Sequence, residues 1–78
     1  MKDTIVYTND MPVDELINNL AALRRFKGIK QKDVGVMVGS VKSNISRMEH
    51  NIHSPSFKTL KAYIEALGYD FEIVVWER

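Results

Sequence analysis

Cysteine is absent from the chain, which excludes disulfides and thiolate metal sites and agrees with a reducing compartment. No apolar run approaches the ~20 residues that a membrane-spanning helix needs. The opening residues alternate apolar and polar, with Asp3 and Asp10 among them, a pattern unlike a secretory leader. Gly-rich phosphate loops and nucleophile elbows are missing too. The two histidines, His50 and His53, flank the expected end of a helix with only Glu49 beside them. That is too thin a set for a metal, and a phosphate contact or a plain surface role suits them better. Glu49 and Asp33 stand apart among cations and do not form an acid–base couple. The expectation is therefore a cytoplasmic protein that is not an enzyme, with no cofactor, no metal and no membrane partner.

Repeats, linkers and low-complexity tracts are also lacking, so residues 1–78 read as one domain. A chain of 78 residues buries only about 60% of its unfolded surface. Without disulfide or metal, dimerisation is the expected further source of stability.

The net charge of +1 conceals a strong division. Residues 1–23 carry one cation against four acids, and residues 62–78 do the same. Residues 24–61 carry nine cations against two acids, a local +7. A basic centre between acidic ends points to a bound polyanion.

Along the chain, Thr4–Thr8 reads either as a short strand or as a frayed end. A first helix begins near Met11-Pro12, with Asp14 and Glu15 at its positive end. Its apolar stripe is Val13, Leu16, Ile17, Leu20, Leu23 and Phe26, and Gly28 ends it. Lys30–Val38 alternates like a strand, yet Val34, Met37 and Val38 also fit i, i+3, i+4. It is assigned as a helix in which Gly35 lets the next helix approach closely, with Met37 and Met48 as core fillers. The helix after Gly39 sets Val41, Ile45 and Met48 on one face. It ends at Glu49-His50-Asn51, with Asn51 suited to the left-handed conformation.

After the Ile52–Pro55 loop, Ser56 caps another helix with Phe57, Leu60, Ile64 and Leu67 as its stripe, closed by Gly68. Residues 69–77 then alternate as a C-terminal β-strand. The sequence expects that strand to pair with a short N-terminal strand or across a dimer, where Phe71, Ile73, Val74, Val75 and Trp76 form the interface. Trp76, Tyr69 and Phe71 lie in an acidic segment, which disfavours base stacking and favours packing.

The stretch Val38–Glu49 organises the rest. Opposite its apolar face stand Lys42, Ser43, Asn44, Ser46 and Arg47, with no acid among them. Amides, hydroxyls and cations on a short anchored helix suit the base edges of a DNA major groove ~12 Å wide.

These residues resemble the lambda-repressor-like (Xre-type) helix-turn-helix family. The match comprises Gly28-Ile29-Lys30-Gln31, Val38-Gly39, Ser43-Asn44-Ile45-Ser46-Arg47-Met48-Glu49, and Pro55-Ser56-Phe57-Lys58-Thr59-Leu60 with Ala66-Leu67-Gly68. The resemblance implies a mostly α, four-helix domain with its core in residues 11–68. It implies a sequence-specific repressor that binds double-stranded DNA as a homodimer on a near-palindromic operator. By position it implies base contacts from Lys42, Ser43, Asn44, Ser46 and Arg47. Phosphate contacts fall to Arg24, Gln31, Ser54, Ser56 and Lys58, with Arg24 also able to pair with Glu49. Val41 and Lys30 stand where relatives carry capping residues, and Ser40 is the substitute expected ahead of Val41. The strand-like ending resembles antitoxins of the HigA and HipB kind, so the alternative role is neutralisation of a cognate toxin.

Overall fold

The computed structural model describes residues 4–78. Among them lie four helices, α1 (Val13–Phe26), α2 (Gln31–Met37), α3 (Lys42–Glu49) and α4 (Phe57–Ala66). All four stop in the same way, α2 with Gly39 at φ 69° and the Ser40 N–H reaching the Gly35 carbonyl. Gly28, Asn51 and Gly68 take positive φ of 72°, 59° and 85° just past α1, α3 and α4. The chain then folds back so that the N–H groups of Ile29, Ile52 and Tyr69 reach carbonyls of Arg24, Arg47 and Ile64. These bonds satisfy carbonyls that a helix end leaves orphaned. Asn51 adopts this conformation with a side chain, and its amide donates to Asn18 at 3.1 Å, tying the end of α3 to α1. At the start of α4 the Ser56 hydroxyl accepts the Thr59 N–H at 3.1 Å, the expected cap.

All four helices feed one core of Ile17, Leu20, Val34, Ile45, Met48, Tyr63 and Leu67. Side chains of this size each contribute about 1.5–3 kcal/mol when fully buried. The stripes are narrower than their periodicity suggests. Val13 and Phe26, at the two ends of α1, are exposed, as are Met37, Val41 and Phe57. At ~1.5 Å per residue, the 14 residues of α1 outreach the 7 of α2 and the 8 of α3. The ends of its stripe therefore have nothing to pack against. Met37, the last residue of α2, is exposed where the helix ends, so it does not fill the core.

The expected β-strand over residues 69–77 is not formed, and the described residues contain no strand. The architecture is all α. Apolar alternation favours extended backbone, but a strand also needs a neighbour to take its N–H and C=O groups. Thr4–Thr8 is irregular and supplies no ladder. Phe71, Ile73, Val74, Val75 and Trp76 are left 38–86% exposed. Only Phe71 is partly anchored, edge-on to Phe57 with ring centroids 6.3 Å apart. The Cα radius of gyration, 12.6 Å, exceeds the ~11.5 Å of a compact domain this long, consistent with this exposed C-terminal segment.

Candidate nucleic-acid interface

α2 and α3 are joined by Val38–Val41, in which the Ser40 N–H donates to the Gly35 carbonyl at 2.7 Å. Gly35 is buried at the point where this turn folds back on α2. A Cβ added there meets the Val41 carbonyl carbon at 3.1 Å and the Lys42 nitrogen at 3.3 Å, both backbone atoms. Gly35 thus lets the start of α3 lie against α2, as its position in the sequence suggested. Gly35→Ala sets a propensity gain of about 1 kcal/mol against that contact. Its melting point should move little, whereas DNA affinity in a gel shift should fall because the head of α3 is displaced. Unchanged affinity alongside a higher melting point would show that the close approach is not needed.

α3 starts at Lys42 without a side-chain cap on Val41. Ser40 does not take over that role, since its hydroxyl accepts the Asn44 side-chain amide at 3.2 Å. Ile45, Met48 and Glu49 point inward, and Lys42, Ser43, Asn44 and Arg47 are exposed, with Ser46 half-buried. Lys42, Ser43 and Arg47 make no side-chain hydrogen bond to the described residues. Their donors remain available. His50, also exposed, has Nδ1 2.7 Å from the Ser46 carbonyl oxygen, so a proton on Nδ1 is donated back along the helix.

Behind this surface sits a buried polar centre. The Glu49 carboxylate accepts Arg24 Nε at 2.7 Å and Tyr63 Oη–H at 2.6 Å on Oε2. Its Oε1 accepts a second Arg24 nitrogen at 2.9 Å and Gln31 Nε2 at 3.0 Å. The remaining terminal nitrogen of Arg24 donates to the Ile29 carbonyl at 2.7 Å. Thus α1, α2 and α4 all donate to one acid on α3, and no buried side-chain N or O of the described residues lacks a partner. Burial alone pushes the Glu49 carboxyl up, but the bonds from Arg24, Gln31 and Tyr63 outweigh it and hold it below the ordinary carboxylate range. The bond to Glu49 raises Arg24 further against the cost of its burial. Burial, and then the bond to Glu49, push the Tyr63 phenol well above its ordinary value.

The pairing of Arg24 with Glu49 was expected, and it turns the Arg24 guanidinium inward, 7% exposed. Gln31 is brought to the same carboxylate but stays half-exposed at the first turn of α2. Ser54 and Ser56 are exposed in the loop after α3, and Lys58 is exposed in the first turn of α4. The structure does not gather these three with Arg24. Tyr63 is the member of the centre that sequence reasoning missed. Its position three residues after Leu60 and four before Leu67 puts it on the buried face, so periodicity alone could have marked it as core. Its bond to an acid 14 residues away has no local signature.

On the C-terminal side, Lys27 bridges the ends of α1 and α4. Its Nζ donates to the Leu67 carbonyl at 2.7 Å and lies 4.3 Å from the centre of the Tyr69 ring. Among the described residues no group of three or more His, Cys, Asp or Glu could hold a metal ion. No helix there is long and apolar enough to cross a membrane.

Two short helices joined by a tight turn, the second with a cationic face directed outward, define a helix-turn-helix DNA-binding protein. A helix-turn-helix family model matches residues 20–74. The chain belongs to that family, the Xre or lambda-repressor-like one, and is a DNA-binding regulator of this type. No curated protein and no solved structure matches the chain.

Proposed function

We propose that the protein is a transcriptional repressor that binds a near-palindromic operator as a homodimer and regulates its own operon. The observation that carries this reading is the outward, uncommitted state of Lys42 and Arg47 on a helix whose opposite side is locked by Ile45 and Met48. In this reading Lys42, Ser43, Asn44, Ser46 and Arg47 meet base edges. Gln31, Ser54, Ser56 and Lys58 meet phosphates, which fixes register without reading sequence. Arg24, spent on Glu49 and Ile29, supports Gln31 from behind. Selection of bound sequences from a random duplex pool tests the proposal. Two related half-sites with centres about 34 Å apart, or a multiple of that, are the expected result. A single half-site, or no enrichment, counts against it.

The proposed dimer contact is the apolar end, Phe71, Ile73, Val74, Val75 and Trp76. Its support is the exposure of these side chains on a chain small enough to need more burial. Trp76→Ala should weaken self-association by about 2 kcal/mol or more, the scale of an aromatic anchor. Sedimentation across a concentration series would then show monomer where the parent is dimer. The same exposed, acidic end favours a second reading, in which the chain also neutralises a basic toxin protein. Binding of such a partner that survives removal of residues 70–78 would exclude this end as the contact.

A further inference from the structure

We infer that Tyr63, buried in α4, is a positioning residue for DNA binding: through Glu49 it aims the Gln31 amide at a DNA phosphate. The inference rests on the DNA-contact reading given above for Gln31. A carboxylate offers about four acceptor sites, and here all four are used by Arg24 twice, Gln31 and Tyr63. The torsion that turns a carboxylate is soft, so its orientation is set by its partners. Tyr63 Oη–H holds Oε2 at 2.6 Å. With Oε2 fixed, Oε1 faces Gln31 Nε2 at 3.0 Å. Tyr63 is itself immobile, fully buried among Ile17, Ile45, Met48 and Leu67. Gln31 is the one member of the set that reaches the surface among residues proposed to touch DNA. Its Nε2 keeps a second N–H, and the bond to Glu49 selects the side-chain conformation that carries it.

Arg24 already takes both oxygens, so without the Tyr63 hydroxyl the carboxylate is oriented by Arg24 alone and is free to shift away from Gln31. The fold need not be lost, because Tyr63→Phe keeps the ring and leaves Glu49 paired with Arg24. DNA affinity should nevertheless fall by about threefold to tenfold, the scale of one ordinary hydrogen bond. The loss should be the same on every duplex, since phosphates carry no sequence information.

The test is a double-mutant cycle of Tyr63→Phe and Gln31→Ala, read as affinity for a random-sequence duplex beside thermal melts of the same proteins. If Tyr63 acts through Gln31, the effect of Tyr63→Phe shrinks below about twofold once Gln31 is alanine. A purely structural role lowers the melting point but leaves the affinity factor the same in both backgrounds, and that result overturns the inference. Unchanged affinity in Tyr63→Phe overturns it as well. Parent protein that binds no duplex defeats the DNA-contact reading itself, a distinct outcome.

A second measurement needs no variant. In the NMR spectrum of the parent protein one Gln31 side-chain amide proton should lie downfield of a free glutamine's, and its geminal partner should shift on adding the duplex. Free-glutamine positions for both protons would sink the inference even if Tyr63→Phe did not fold.

Discussion

Glu49→Ala should cost about 3–5 kcal/mol, the loss seen when one partner of a buried ion pair is removed. The reason is what stays behind. Arg24 remains a buried cation with only the Ile29 carbonyl, and the Tyr63 hydroxyl loses its acceptor in the core. A domain of this length holds on the order of 4–12 kcal/mol in all, so the variant should be largely unfolded or lose tens of degrees in a circular-dichroism melt. Glu49→Gln keeps an acceptor and should lose less. Both variants also lose a pH dependence that the parent has. Because the folded carboxyl lies below its ordinary range, its contribution is present above the unfolded value, near ~4.3, and disappears as pH falls through the folded value. Glu49→Gln should remove that part of the acid slope. Tyr63 acts at the other extreme. Its raised phenol contributes fully below the unfolded value near ~10 and loses the contribution as pH climbs beyond it. A melting point for Glu49→Ala within a few degrees of the parent's would mean that the polar centre is not what joins the helices.

Local chemistry made much of this fold legible in the sequence, and long-range chemistry hid the rest. Gly28, Asn51, Ser56 and Gly68 announce helix boundaries because a cap is decided within a few residues. Gly35 could be read because a glycine amid valines has few uses other than close approach. The ending misled for the opposite reason. Residues 69–77 carry the pattern of a strand, but whether a strand forms depends on a partner that one copy of the chain does not contain. The ends of the α1 stripe failed similarly, since periodicity reports which side is apolar and not how far the neighbouring helices extend. In the site, the charge division and the acid-free face of α3 pointed to the exposed cations directly. The polar centre was half visible, through the expected Arg24–Glu49 pair, while the contributions of Gln31 and Tyr63 depend on packing between helices far apart in sequence.

Arg47→Ala carries the largest expected effect on DNA recognition. Its side chain leaves α3 one position before buried Met48, exposed and without a protein partner among the described residues. Nothing in the fold should suffer from its removal, so the melting point is expected to stay within about 0.5 kcal/mol of the parent in stability terms. Affinity for the selected operator should fall by about 1–3 kcal/mol per half-site, with discrimination relaxed at one base position in each. Lys42 serves as the comparison. If it reaches a base edge, Lys42→Ala also relaxes one position, but if it reaches only phosphate the loss is uniform and the salt slope drops by about one per protomer. The two outcomes separate base readout from simple attraction to a polyanion, which the +7 of the central segment would provide by itself. Should Arg47→Ala change only the salt slope and leave every base preference intact, α3 would be a backbone-binding helix, and sequence choice would have to arise from DNA shape or from other residues.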